Sequence, residues 1–126
     1  IALKHSFSCA ERRSSFRQPV TAEAIVSRGS GMASSAVAPC KMIDVSLSGL
    51  CFSSQERYLE GEQIFISSLQ LRRNGPHSFS CTVQRVQPLE SGALRYGCSF
   101  NDITERQEDM LFQDMFSLQV KAFNQQ

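Results

Sequence analysis

Residues 40–54 read CKMIDVSLSGLCFSS. The first seven residues read as a strand. Leu47, Ser48 and Gly49 form a tight reversal, and Leu50–Ser54 run back out. Two such runs with a short link pair as an antiparallel hairpin. Gly49 suits a positive φ at that reversal, and Asp or Ser side chains in such turns bond to nearby amides.

More strand-like runs extend outward from this hairpin. Upstream, VTAEAIVS (20–27) alternates loosely, and RGSGMASSAVAP (28–39) has the Gly, Ser and Ala content of a flexible loop. Downstream, QERYLEGE (55–62) is a polar connection. In QIFISSLQL (63–71), Ile64, Ile66 and Leu69 compete with Phe65 and Ser67 for the inner face. RRNGP (72–76) carries an Asn-Gly turn signal. FSCTVQRV (79–86) places Phe79, Cys81 and Val83 at period two. LESGAL (89–94) supplies a turn, and RYGCSF (95–100) is a last short strand. About six strands with short links and no helix between them make the chain mainly β, an antiparallel barrel or sandwich.

The C-terminal segment has another period. Thr104 and Gln107 form a T-x-x-Q capping box, and Glu105, Glu108 and Asp109 put negative charge where a helix dipole favours it. Leu111, Met115, Leu118 and Ala122 follow helical spacing, with Phe112, Phe116 and Phe123 widening the stripe. The spacing predicts one amphipathic helix over 104–123. It would pack on the strands or close one end of them, or else dock a partner or a second copy.

A chain of 126 residues suits one domain, and 41% hydrophobic content is enough for a single core. The net charge is +1, too balanced for a protein that coats nucleic acid. The charge is uneven, however. Residues 1–30 hold five basic and two acidic residues, a net +3, and residues 101–126 hold two and five, a net −3. Any anionic partner therefore belongs at the N-terminal end. The five cysteines are odd in number and include no C-x-x-C pair. Cys40, Cys51, Cys81 and Cys98 sit in apolar, strand-like contexts, which fits free thiols in a reducing cytoplasm. His5 and His77 are far apart, so no metal site is expected. No apolar run reaches the length of a membrane span, and there is no signal peptide. The first residue is Ile rather than Met, which points to a domain excised from a longer protein with a neighbouring domain.

Residues 1–19 read as a polar, flexible arm, with the barrel and its helix filling 20–126. Within the arm, ERRSSFRQPV (11–20) packs Arg12, Arg13 and Arg17 into six residues. Alone it would pass as a charged tail. Farther along, IDVSLSGL (43–50) holds Asp44, Ser46 and Gly49 in the pattern D-x-S-x-x-G. Arg13 and Arg17 form R-x-x-x-R, followed by a strand, a loop of about a dozen residues and then D-x-S-x-x-G at a hairpin.

This ordered pair resembles the PilZ domain, a bacterial receptor for cyclic di-GMP, and most resembles the PilZ domains of flagellar-brake, YcgR-like proteins. Those proteins carry a second, N-terminal barrel, which is not among these 126 residues. The motifs span residues 12–49, and the strand pattern and helix extend the resemblance to about residue 123. It implies a six-stranded antiparallel β-barrel with an N-terminal arm and a C-terminal helix. It also implies a ligand, cyclic di-GMP, with no further cofactor. Arg13 and Arg17 would hold phosphate and the guanine Hoogsteen edge, since a guanidinium pairs bidentately with either. Asp44 would accept from the Watson–Crick edge. Ser46 would bond phosphate or a base edge, and Gly49 would shape the turn and leave room for the nucleotide. Arg12 would govern whether one nucleotide or a stacked pair binds.

The implied output is regulation of motility or exopolysaccharide production, in biofilm formation for example. It would be relayed by ordering of the arm onto a neighbouring domain or protein partner. Phe16, inside R-x-x-x-R, would anchor the arm. Three other readings compete. An enzyme would need a catalytic grouping that the sequence does not assemble near Asp44 and Ser46. A binder of single-stranded nucleic acid would need surface aromatics among basic residues, and Tyr58 and Tyr96 are the only tyrosines. A PilZ-like scaffold that binds only protein would use its helix. Arg57, Arg72, Arg73 and Arg95 read as solvated charges.

Overall fold

The computed structural model describes residues 16–28, 37–72 and 74–124, with side chains as far as Gln119. Among them are seven strands and one helix: β1 (Gln18–Pro19), β2 (Glu23–Arg28), β3 (Val37–Val45), β4 (Gly49–Ser54), β5 (Gln63–Leu69), β6 (His77–Pro88), β7 (Leu94–Phe100) and α1 (Glu105–Asn124). Every pairing is antiparallel. The order β3-β2-β5-β6-β7-β4 closes through β3–β4 into a six-stranded barrel, and β1 is an extra strand beside β3.

The strand boundaries differ from the sequence reading in places. Val37–Pro39, read as the end of a loop, already belong to β3. Pro39 has no N–H to give, and it lies where β3 is paired to β2 only, because pairing with β4 starts at Lys41. Gln18 and Pro19, read as the last residues of the arm, pair with Val45 and Asp44. Two bonds, Val20 N–H to Ile43 O (3.1 Å) and Met42 N–H to Ala22 O (2.8 Å), continue that pairing toward β2.

Alternation fills the barrel with Ala24, Val26, Cys40, Met42, Leu50, Phe52, Ile64, Ile66, Phe79, Cys81, Val83, Tyr96 and Cys98, all buried. Ile64, Ile66 and Leu69 win the inner face of β5 over Phe65 and Ser67. Leu69 is out of phase with Ile66 and reaches the core through a register shift, where Ser68 takes φ 59°. Phe52, Tyr58 and Tyr96 form an aromatic group with ring centroids 5.2–6.3 Å apart. The Tyr96 hydroxyl donates to Glu56 O (2.6 Å) and accepts from Tyr58 N–H (3.0 Å), so it is both donor and acceptor. Arg28 lies over the Tyr58 ring, 4.7 Å from its centroid, and bonds Glu62 and the Arg57 carbonyl.

Helix α1 begins with the predicted capping box: Thr104 N–H donates to Gln107 Oε1 (2.9 Å), and Gln107 N–H to Thr104 Oγ1 (3.1 Å). Leu111 and Met115 enter the core. Phe112 and Phe116, read as part of the buried stripe, are 40% and 57% exposed, because the helix meets the barrel along a narrow line. Asp114 is buried instead. It bonds His77 Nε2 at 2.9 Å, and it accepts from Asn74 N–H at 3.2 Å and Asn74 Nδ2 at 3.3 Å. The Asn-Gly turn between β5 and β6 thereby becomes the tether of the helix.

Candidate functional site

Asp44 owes its aim to a bulge. Met42 opposes Phe52, but Asp44 opposes Cys51, so one extra residue sits in β3 between them. Without it, Asp44 would share the inward phase of Met42. With it, Val45 turns inward at 0% exposure and Asp44 turns outward beside Cys51. A second bulge acts the same way in β6. Val83 opposes Cys98 and Arg85 opposes Gly97, which turns Arg85 outward and brings Val86 against the core. The registers Asp44↔Cys51, Cys51↔Gly97 and Gly97↔Arg85 thus align four outward positions in one row across β3, β4, β7 and β6. At a strand spacing of about 4.8 Å, the row spans roughly 14 Å. Arg95 and Gln87 stand in a parallel row.

Arg17 completes this face from the other side. Pairing of Gln18 with Val45 carries Arg17 alongside the hairpin, and its Nη1 lies 3.0 Å from Asp44 Oδ1. The two motifs, 27 residues apart, are therefore joined by an ion pair. Arg17 is half exposed while the Asp44 side chain is 13% exposed, so the pair is worth about 0–1 kcal/mol and is easily exchanged for another partner. Arg17, Cys51, Arg85, Gln87, Arg95 and Gly97 line a concavity of about 120 Å³ on this face. Arg95, read as a solvated charge, donates from Nε to Cys51 Sγ (3.1 Å).

Ser46 and Gly49 serve the hairpin. Ser46 is 1% exposed; its Oγ accepts from Gly49 N–H (3.2 Å) and Ser48 N–H (3.3 Å) and lies 3.1 Å from Ser48 Oγ. Gly49 does not take the positive φ expected of it. It is needed for another reason: a Cβ there would lie 2.0 Å from the Cys98 carbonyl oxygen, where β4 and β7 touch. Arg12 and Arg13 lie outside the described residues. Phe16 lines a small apolar hollow with Leu47 of the hairpin and Phe112, Met115 and Phe116 of the helix.

Other chemistry is weakly represented on the described residues. Tyr58 and Tyr96 are buried, so neither offers a stacking face. Among the described residues no group of three His, Cys, Asp or Glu is placed to hold a metal ion, and no helix is long and apolar enough to cross a membrane. Cys40, Cys51, Cys81 and Cys98 are free and buried, and burial pushes the thiols of Cys40 and Cys81 up to about 12.

The family model described as PilZ domain matches residues 11–117. No curated protein matches the chain. The solved structure of the PilZ domain of YcgR from Escherichia coli with c-di-GMP is similar at TM-score 0.66 and 16% identity, covering 87% of this chain and 93% of that one. YcgR from Escherichia coli in complex with c-di-GMP is similar at TM-score 0.70 and 18% identity, covering 87% of this chain but 47% of that one. The chain therefore spans about half of that longer protein. The PilZ domain of CeSA from a cellulose-synthesizing bacterium is similar at TM-score 0.60 and 17% identity, covering 83% of this chain and 99% of that one. At these identities the structural likeness speaks for the fold.

Proposed function

The chain belongs to the PilZ domain family, and from that premise we propose that it is a receptor module for cyclic di-GMP rather than a catalyst. One observation supports the reading: an ion pair joins Arg17, the second arginine of R-x-x-x-R, to Asp44, the aspartate of D-x-S-x-x-G. Arg13 and Arg17 grip phosphate and the guanine Hoogsteen edge, and Asp44 takes the Watson–Crick edge. Ser46 and Gly49 contribute by holding the hairpin that presents Asp44, with Ser46 in reach of the ligand once the turn adjusts. In this scheme the Arg17–Asp44 contact stands in for the nucleotide, and its low worth lets the ligand displace it. Arg12 adds a flat cation for a second, stacked nucleotide. A stoichiometry of one nucleotide per chain would remove that part.

The output runs through the arm. Phe16, next to Arg17, shares an apolar hollow with helix α1, so gripping the nucleotide repositions the arm and whatever domain or partner adjoins it. In a cytoplasmic setting this would regulate motility or exopolysaccharide production. Protection of residues 1–19 from protease on adding nucleotide supports the coupling, and unchanged cleavage counts against it. The exposed Phe112 and Phe116 leave the helix able to dock a partner or a second copy, which a monomer in sedimentation equilibrium at high concentration would argue against for the second copy. The receptor reading is tested by thermal melting. At a hundred times its dissociation constant, cyclic di-GMP adds about 2.7 kcal/mol, and cyclic di-AMP, whose base lacks the guanine donors, adds far less. Equal shifts from both would point to a general anion site. A protein-only scaffold predicts no shift from either.

A further inference from the structure

We propose that Arg85 and Arg95, on the outer face of β6 and β7, form an additional phosphate subsite of the nucleotide site, an assignment that rests on the receptor reading above. Neither arginine belongs to the two sequence motifs. The bulge in β6 turns Arg85 out to the end of the row that starts at Asp44, and Arg95 stands in the neighbouring row beside Cys51. With Arg17 they line one concavity of about 120 Å³. Among the described residues, neither Arg85 nor Arg95 forms an ion pair with a carboxylate, and Asp44, at the other end of the row, is paired with Arg17. Burial raises the Cys51 thiol above its ordinary value, so the sulfur does not supply the missing negative charge. Like charges gathered on a concave wall attract an anion, and guanidinium forks fit phosphate bidentately.

Gly97 is an independent sign. It lies at the centre of the row, between Cys51 and Arg85. Its φ is not positive, and a Cβ there would meet only the Arg85 Cβ, at the ordinary distance of 3.7 Å. The fold therefore does not need a glycine at this position, in contrast to Gly49. What the missing side chain does is keep the floor between the arginines open, which a ligand lying across the row requires.

The test is calorimetric titration of the full chain with cyclic di-GMP at low and moderate salt, comparing wild type with Arg85→Ala, Arg95→Ala and Gly97→Ala. Each arginine variant should bind about tenfold to a hundredfold more weakly and with a shallower salt dependence. Arg85→Lys should recover only part of the loss, since it keeps the charge and loses the fork. Gly97→Ala should melt like wild type yet bind more weakly. Wild-type affinity and salt slope in all the variants, with wild type itself binding, would overturn this assignment and leave the receptor reading standing. A wild type that takes up no cyclic di-GMP would overturn both.

Discussion

Replacing Gly49 by alanine separates the two roles a motif glycine can play. The added Cβ would stand 2.0 Å from the Cys98 carbonyl oxygen, 3.0 Å from the Cys98 carbonyl carbon and 3.1 Å from the Ser99 Cα. All three are backbone atoms, so no flexible side chain can move aside. Strands β4 and β7 would have to part by about 1 Å where Gly49 opposes Ser99, to bring the closest approach to 3.0 Å. Overpacking of this kind costs about 1–3 kcal/mol. The adjoining bond from Phe100 N–H to Ser48 O (3.0 Å) would be strained or lost, for roughly 1 kcal/mol more. A total of about 2–4 kcal/mol, at roughly 4 °C per kcal/mol for a domain of this size, lowers the melting temperature by roughly 8–16 °C. Scanning calorimetry without nucleotide measures this, with Gly97→Ala as a control expected within about 2 °C of wild type. A Gly49→Ala protein that melts like wild type but fails to bind nucleotide would refute the packing argument and make Gly49 a clearance for ligand.

Three more outcomes follow from the structure. Asp114→Ala leaves His77 and the Asn74 amide groups without their buried acceptor, so urea unfolding should show a loss of about 3–5 kcal/mol, and a change under 1 kcal/mol would contradict the tether. Thr104→Ala removes the acceptor for Gln107 N–H and should cost about 1 kcal/mol, whereas an unchanged melting temperature would show that the cap adds nothing. Burial holds Cys40 and Cys81 at about 12 against 9.0, and Tyr58 at about 12 against 10.0. The folded pKa values lie above the unfolded ones, so this contribution is intact below pH 9 and is lost as pH rises from 9 toward 12. The melting temperature should fall more steeply from pH 9 to 11 than from 7 to 9, and an even decline across both intervals would contradict it.

The hairpin at 40–54 and the capping box were legible because each is local: alternation, a short link, and two side chains three residues apart. The barrel strands were legible for the same reason, and the D-x-S-x-x-G pattern at residues 44, 46 and 49 stands out by its spacing. What escaped has a common cause. Val45, Leu69 and Val86 reach the core out of phase because bulges add a residue, and no neighbouring residue announces the shift. The row Asp44, Cys51, Gly97 and Arg85 exists only once four strands are in register, so Arg85 was not singled out and Arg95 looked solvated. Asp114 appeared as one more helix acid, since the groups that bury it, His77 and Asn74, come from 37 and 40 residues away. The bonds that the Ser46 hydroxyl makes within its own turn likewise show only once the hairpin is folded.

The most direct measurement is calorimetric titration of the wild-type chain with cyclic di-GMP, with Arg13→Ala, Arg17→Ala and Asp44→Ala alongside. The account predicts saturable binding by wild type. It predicts at least tenfold weaker binding in each variant, with the fold intact, because the Arg17–Asp44 pair contributes no more than about 1 kcal/mol to stability. No heat from wild type at tens of micromolar nucleotide, or full affinity in Asp44→Ala, would contradict it.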